Sequence, residues 1–351
     1  MNKTTLFRIH CSSFAIQETT RRHAAAFQNS VLTRREMLLA LAGGVAAGAC
    51  ARPLGWHGQP ARAGFDELIL CGAEEVFILS VVPGKNPKTE KTWSWRAADC
   101  PNLPESLRPA FKSTDDCKPF EGGREILITS SSGAVALVER ETKRAVFYAP
   151  VVNAHSAEML SGGRIVACAS VSTSPLGNRL VFFDANTPEK EISSDSLQSA
   201  HGVVWDEARR ILWALGYDEL RAYRLSKGKE EKDKLKSALQ TPVIEREALF
   251  PLSDTDGHDL SPIPGTPLLF ISTGRHCWYF DRDKRRFAPH DVLADAASVK
   301  SYSVHPSTGR IAYVQAEGSN WWAERVHFLR PVGILHLPGQ RLYKARWNAK
   351  N

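Results

Sequence analysis

Residues 201–216 read HGVVWDEARRILWALG, a histidine followed about ten residues later by a β-rich run. Residues 155–170, HSAEMLSGGRIVACAS, and 258–273, HDLSPIPGTPLLFIST, have the same arrangement. Repeats that share a register place equivalent side chains at equivalent positions of repeated structural units. We therefore expect His155, His201 and His258 to come from equivalent strands.

The spacing of these repeats predicts the fold. His155 and His201 are 46 residues apart, and His201 and His258 are 57 apart. The longer interval contains the charged stretch 226–234, SKGKEEKDK, which we predict to be a solvated loop. Short β-rich runs separated by Gly, Pro, Asn and Asp fill the chain from residue 65 onward, with no convincing amphipathic helix. A period of about 45 residues with about four strands is typical of a propeller blade.

We predict an all-β, six-bladed β-propeller, with seven blades as the alternative. The predicted blades span residues 65–98, 110–150, 151–198, 199–247, 256–292 and 298–348. The C-terminal run RLYKARWN, residues 341–348, should close the ring by pairing with the first blade, because closure removes the open edges of a linear array.

The N-terminus reads as a targeting segment. The pair Arg34-Arg35 precedes the apolar run Met37–Ala49, which is too short to span a bilayer core of roughly 30 Å. This resembles a twin-arginine export signal and implies a periplasmic or secreted protein. Cleavage could follow Ala63, or Cys50 could carry a lipid anchor. We predict a leader over 1–63 and a single propeller domain over 64–351, with no transmembrane segment in the mature chain.

Charge and cysteine content limit the function classes. Residues 1–63 carry eight Lys/Arg and two Asp/Glu, so removing them reduces the net charge from +7 to about +1. A nearly neutral chain lacks the basic face that nucleic-acid binding needs. Cys100 and Cys117 flank a Pro-rich loop and could form a disulfide in an oxidising compartment, or remain free.

The chain resembles a known family. The carrying motifs are NAHSAEML (153–160), SAHGVVWDEARRILWALG (199–216), GHDLSPIPG (257–265) and RLYKARWN (341–348). Together they are similar to an uncharacterised bacterial family of exported propeller proteins, a domain of unknown function, over essentially the whole mature chain. The chain is more distantly similar to lactonase-type propellers. The resemblance implies the fold but no activity, because one fold hosts many functions.

The three histidines allow three interpretations. Imidazoles that converge on the axis could bind a divalent metal such as Zn, Mn or Fe and leave open positions for a ligand. They could instead bind a ligand without a metal. In the third interpretation each imidazole bonds a backbone carbonyl of a neighbouring blade and only holds the blades together.

Several other side chains are candidates for the axis. Lys300 lies next to Ser301, which aligns with His201, whereas His305 is out of register and belongs to a turn. In the second blade the same offset reaches Asp116, although Lys118 could equally point inward.

The closing run contributes two further cations. Lys344 and Arg346 share one strand face, with Tyr343, Ala345 and Trp347 on the other. With no acidic partner nearby, the two cations would bind a carboxylate, sulfate or phosphate. Trp321 and Trp322 could form a sugar-stacking rim or pack between blades.

Two functions follow. The first is an enzyme acting on an anionic or carbohydrate-derived ligand, with metal-dependent lyase or lactonase chemistry on His155, His201 and His258. The second is a non-catalytic propeller that binds a ligand or another protein. The sequence contains no GxSxG elbow, P-loop, GxGxxG fingerprint or CxxC pair, so activated-serine hydrolysis, nucleotide hydrolysis and dinucleotide chemistry lack support. We expect a monomer.

Overall fold

The computed structural model describes residues 66–82, 84–225 and 244–348. The predicted leader, with Arg34-Arg35, the cleavage site at Ala63 and the lipid-anchor candidate Cys50, lies outside the described residues. The predicted solvated loop 226–234 lies outside them as well.

The described residues are almost entirely β-structure, with three short 3-10 helices at Ala97–Asp99, Glu105–Phe111 and Glu121–Gly123. The strands are β1 Asp66–Cys71, β2 Glu75–Val82, β3 Lys88–Arg96, β4 Thr114–Phe120, β5 Glu125–Ser130, β6 Ala134–Glu139, β7 Ala145–Pro150, β8 Ala154–Leu160, β9 Arg164–Ala169, β10 Arg179–Asp184, β11 Glu191–Ser196, β12 Gly202–Asp206, β13 Ile211–Leu215, β14 Glu219–Leu225, β15 Ile244–Pro251, β16 Asp259–Pro262, β17 Leu268–Ser272, β18 Cys277–Asp281, β19 Arg286–Pro289, β20 Val299–Val304, β21 Ile311–Gln315, β22 Arg325–Leu329, β23 Gly333–His336 and β24 Lys344–Asn348.

These strands form six four-stranded antiparallel sheets, which confirms the prediction of a six-bladed propeller. Five sheets are consecutive hairpins, β4–β7, β8–β11, β12–β15, β16–β19 and β20–β23, and the sixth has the order β24-β1-β2-β3. The first strand of each sheet contacts the first strand of the next, so that β4, β8, β12, β16, β20 and β24 form a closed circle around the axis.

Apolar side chains between neighbouring sheets hold the ring together. In the described part of the chain there are six buried clusters, and each draws its members from two adjacent blades. Trp213, for example, packs on Phe280 of the next blade with ring centroids 5.2 Å apart. No blade therefore buries its faces alone, and the ring is stable only when it is complete.

The C-terminal strand closes the ring as predicted. β24 pairs antiparallel with β1, with Leu68 opposite Trp347 and Leu70 opposite Ala345. The residues 341–348 were counted in the last blade, but β24 belongs to the sheet of the N-terminal strands. A Cβ at Gly72 would lie 1.8 Å from the carbonyl oxygen of Arg341, so the approach of the closing segment requires glycine there.

Two further expectations concern cysteines and membrane segments. Cys100 and Cys117 are both free and buried in the same apolar cluster, so the structure contains no disulfide between them. No helix in the described ranges is long and apolar enough to cross a membrane.

We predict that closure by β24 depends on its buried tryptophan. Trp347, on β24, is only 4% exposed, and its ring packs against that of Phe328 on β22. Replacing it with alanine should lower the free energy of unfolding by about 3–5 kcal/mol, because a large buried side chain leaves a cavity. The control is Trp321→Ala, which removes a side chain that is 46% exposed and should change stability by less than about 0.5 kcal/mol. Equal effects of the two variants in urea denaturation would contradict a role of Trp347 in closure.

Candidate functional site

Six side chains, one from each blade, meet where the inner strands begin. We call them the axial ring: Asp115, His155, His201, His258, Lys300 and Tyr343. In β4, β8 and β20 the ring residue is the extra residue of a β-bulge, at Asp115, His155 and Lys300. A bulge re-aims a side chain that regular alternation would send elsewhere.

In the other three blades the ring residue directly precedes the inner strand. The backbone N–H of His201 donates to Leu215 O, that of His258 to Ser272 O and that of Tyr343 to Cys71 O. These bonds extend the backbone hydrogen bonding of each inner strand to the ring residue and fix the direction of its side chain.

Four blades also share a left-handed residue two positions before the ring residue. Asn153, Ser199, Asp256 and Ser298 all have φ between 47° and 65°. Non-glycine residues seldom adopt this conformation, and small polar residues adopt it most readily. The repeated turn therefore brings each chain back toward the axis immediately before the ring side chain.

The ring side chains contact one another in blade order. The Nδ1 atom of His155 lies 3.3 Å from Asp115 Oδ1. The His155 and His201 rings stack with centroids 4.1 Å apart, and the His201 and His258 rings lie 5.2 Å apart. Lys300 Nζ lies 2.5 Å from His258 Nε2. The three predicted histidines and Lys300 thus lie together.

Hydrogen bonds determine which nitrogen of two imidazoles carries the proton. Nδ1 of His201 lies 2.9 Å from Ser199 O, and Nδ1 of His258 lies 2.7 Å from Asp256 O. Because a carbonyl oxygen only accepts, Nδ1 must donate in both rings. Nε2 of each neutral ring therefore presents a lone pair, and His258 uses its lone pair to accept from the Lys300 ammonium. Each carbonyl belongs to the residue two positions earlier in the same chain segment, so these bonds do not pin neighbouring blades together.

The histidines remain neutral at physiological pH. Burial lowers the pKa of His201 to about 3, with a further contribution from His258. Burial and the charge of Lys300 lower the pKa of His258 to about 4. The pKa of His155 falls well below its usual range through burial and the neighbouring His201.

Two ring residues titrate near neutrality. Burial raises the pKa of Asp115 to about 7. Burial lowers the pKa of Lys300 to about 8, and the charge of Lys344 acts in the same direction. Carboxyl and amino groups with such values can exchange protons at neutral pH.

The arrangement of the three histidines can be compared with what a bound metal ion would need. Among residues 66–82, 84–225 and 244–348, no group of three or more His, Cys, Asp or Glu side chains is placed to hold a metal ion. The planes of His155 and His201 are 23° from parallel and stacked, and the His258 lone pair faces the Lys300 ammonium. A metal on all three histidines would require this ring to rearrange, and metal binding stays a prediction.

Directly beyond the axial ring lies a second group, the ion cluster: Asp116, Asp259, Lys344 and Arg346. Asp116 lies on β4 and Asp259 on β16, on opposite sides of the circle, and both cations come from β24. Lys344 Nζ lies 3.1 Å from Asp259 Oδ1 and 3.6 Å from Asp116 Oδ2. All four residues are at most 5% exposed, so the cluster fills the axis.

Arg346 is the centre of this cluster. Its Nε donates to Asp116 Oδ1 at 2.9 Å, its Nη2 donates to Asp259 Oδ1 at 2.6 Å, and its Nη1 also reaches Tyr302 O at 3.2 Å. Burial alone would raise the pKa of Asp116, but the charges of Arg346 and Lys344 lower it overall. The two carboxylates therefore stay ionised and neutralise the two cations.

Lys118 completes the contacts across the axis. Its Nζ donates to Glu158 Oε2 on β8 at 3.0 Å and to Val203 O on β12 at 2.5 Å. The sequence left open whether Asp116 or Lys118 points inward, and in the structure both do.

The structure corrects two premises of the sequence argument. Lys344 and Arg346 were expected to lack acidic partners, but both pair with Asp116 and Asp259. Tyr343 was placed on the opposite strand face, but its ring lies 5.9 Å from that of His155. The reason is that β24 begins only at Lys344, so alternation does not apply to the residue before it.

The remaining sequence candidates lie at different depths. Trp321 is 46% exposed, and its ring lies 5.8 Å from Tyr343, at the edge of the axial ring. Trp322 stacks instead with the exposed Arg341. His305 accepts hydrogen bonds from the backbone of Ser307 and Thr308, as expected for a turn residue.

A separate groove of about 400 Å³ lies between the sheets β4–β7 and β8–β11. Its lining includes Phe120, Met159 and Ala185. Phe120 is the last residue of β4, whereas Asp115 is near its start, so the groove lies away from the axial ring. Its lining lacks the histidine and lysine side chains that make the axial ring chemically distinctive, so we take the ring as the candidate site.

The fold and the axial ring together define a six-bladed β-propeller with a polar group at the start of its inner strands. The chain belongs to the DUF6528 family, a family of unknown function, whose model matches residues 74–351. No curated protein matches the chain. The family match confirms the resemblance to a family of unknown function, while export and the likeness to lactonases stay predictions.

We predict that Arg346→Met lowers the free energy of unfolding by about 3–5 kcal/mol, because it leaves two buried carboxylates short of their main partner. The matched control is Arg124→Met, since Arg124 and its partner Glu121 have side chains that are 77% and 57% exposed. That variant should cost less than about 1 kcal/mol. Denaturant titrations that place Arg346→Met within 1 kcal/mol of the wild type would contradict the role of the cluster.

We also predict a pH-dependent gain in stability from Asp115→Asn. The folded chain keeps the Asp115 proton up to a pKa of about 7, whereas the unfolded chain loses it near pH 4. Ionisation therefore favours unfolding increasingly between pH 4 and 7. The variant should match the wild type at pH 4 and exceed it at pH 8 by on the order of 2–4 kcal/mol.

The control for this change is Glu141→Gln at an exposed residue, which should change stability by less than about 0.5 kcal/mol at either pH. Thermal unfolding of the three proteins at both pH values measures the difference. A constant offset between Asp115→Asn and the wild type would show that the carboxyl group is not held protonated.

Proposed function

We propose that the protein binds a small anionic, carbohydrate-derived molecule at the axial ring. The observation that carries this proposal is the state of Lys300. Among the described residues, Lys300 has no carboxylate within ion-pair distance, whereas Lys118 pairs with Glu158 and Lys344 with Asp259. The Lys300 ammonium contacts a neutral imidazole instead. Lys300 is 7% exposed, and an incoming anion would pair with its ammonium in place of this contact.

The charges nearby support an anionic ligand. The ion cluster contains two cations and two carboxylates and is neutral as a unit, and the pair Lys118–Glu158 is neutral as well. Within the axial ring, the histidines are uncharged and Asp115 is partly protonated at neutral pH. The Asp256 carboxylate lies 3.6 Å from His258 Nδ1 and opposes the lowering of the Lys300 pKa. The positive charge within the ring itself is that of Lys300, with which a ligand carboxylate would pair.

The neutral groups of the ring support a ligand with hydroxyl groups. His201 presents an Nε2 lone pair that can accept a hydrogen bond from a hydroxyl, and the Tyr343 phenol can donate or accept. Trp321 offers an exposed aromatic surface next to Tyr343, and aromatic rings pack well against the apolar faces of sugars. A sugar acid contains all the groups that this arrangement complements.

Binding is the part of the proposal that the geometry supports best. If the ligand is also turned over, Asp115 and Lys300 are the groups whose pKa values suit proton transfer at neutral pH. Metal-dependent lyase or lactonase chemistry would require Lys300 to move away from the His258 lone pair.

The proposal predicts that Lys300→Met weakens binding of sugar acids about 10- to 100-fold, because a charge-assisted hydrogen bond is worth about 1.5–3 kcal/mol. Calorimetry with D-galacturonate and D-glucuronate, and with neutral D-galactose as a comparison ligand, measures the effect. The control is Lys112→Met at an exposed lysine, which should leave the affinity unchanged.

Other results would contradict the proposal. Equal affinity for galacturonate and galactose, or equal binding by the wild type and Lys300→Met, would remove the role of Lys300. Stoichiometric metal in untagged protein that is lost in the triple variant His155→Ala, His201→Ala, His258→Ala would replace the proposal with a metal centre. Product formation from a bound sugar acid would not contradict the proposal but would show that the protein is also an enzyme.

A further inference from the structure

Resting on the proposed function, we infer that the axial ring recognises the end of an anionic oligosaccharide, with one terminal acidic sugar in the ring and the next sugar on Trp321. The axis is closed on one side of the ring, and an exposed aromatic surface, that of Trp321, lies on the other. The proposed ligand is thus an oligosaccharide rather than a single sugar acid.

The axis is closed immediately beyond the ring. Asp116, Asp259 and Lys344 are fully buried, and the Arg346 side chain joins the two carboxylates from opposite sides of the circle. Lys118 spans the remaining part by reaching the carbonyl of Val203. A chain molecule therefore cannot thread through the axis, which favours entry by its end.

On the other side of the ring the surface continues. Trp321 lies in the loop between β21 and β22, which is at the same end of its blade as Lys300. Its ring is 5.8 Å from Tyr343 at an interplanar angle of 63°, an edge-type contact, and the residue is 46% exposed. Exposed tryptophan beside a polar site is well suited to stack on a sugar.

A cation lies beside Trp321. Arg341 lies over the ring of Trp322, the next residue, at 5.6 Å and is exposed. A second acidic sugar over Trp321 would thus have the Arg341 cation close by.

The test compares α-1,4-linked galacturonic acid mono-, di- and trisaccharides by calorimetry. The disaccharide should bind about 3- to 10-fold more tightly than the monosaccharide, because a stacking contact is worth about 0.5–1.5 kcal/mol. Trp321→Ala should remove this gain, so that the mono- and disaccharide bind the variant equally, whereas Trp321→Phe should retain most of it. A long polygalacturonate should bind one protein for each accessible end.

The outcomes separate this inference from the proposed function. If the monosaccharide binds and depends on Lys300, but the disaccharide gains nothing and Trp321→Ala has no effect, end recognition is wrong and the proposed function stands. Several proteins bound along one polymer chain would also overturn end recognition. If neither mono- nor disaccharide binds, the proposed function itself is wrong.

Discussion

The pairing of Arg346 and Lys344 with Asp116 and Asp259 is the interaction on which the centre of this propeller depends. Each of these buried charges would be costly alone, because removal from water is repaid only by partners of opposite sign. The partners come from three different inner strands, with the backbone of a fourth accepting from Arg346. The cluster is therefore satisfied only when the ring is closed and the blades are in register, which makes it a device for specifying closure rather than a general source of stability.

Closure and charge pairing use the same strand. β24 supplies both cations, and it also supplies the apolar face, with Ala345 and Trp347, that packs between the first and last blades. Alternation along a strand makes this possible, since Lys344 and Arg346 point to one side and Ala345 and Trp347 to the other. The same strand thus joins the two ends of the ring and supplies the cations that pair with Asp116 and Asp259. Lys344 and Arg346, which the sequence suggested as ligand-binding residues, are therefore used to stabilise the fold.

The middle strands of the blades could be predicted from the sequence, and most inner strands could not. Arg164–Ala169 and Ile211–Leu215 are continuous apolar runs buried on both faces, a pattern that can be recognised in the sequence as a strand. The inner strands Thr114–Phe120 and Asp259–Pro262 are rich in polar side chains that face the axis, so they lack the hydrophobic pattern by which strands are recognised. The blade count succeeded because it rested on the period of the repeat and not on every strand.

Some residues of the axial ring could likewise be found from the sequence, and others could not. His155, His201 and His258 could be found because the repeat aligned them, and Lys300 was found as the neighbour of Ser301, which the repeat aligned with His201. Asp115 and Tyr343 were missed because a bulge at one position and a strand start at the other break the period of two. A small polar residue two positions earlier, left-handed in four blades, is the signal that would have placed Lys300 rather than Ser301 in register with the histidines. Where the bulge interrupts alternation, consecutive residues such as Asp115 and Asp116 both face the axis. Asp116 then joins the ion cluster, while Asp115 joins the axial ring and contacts His155.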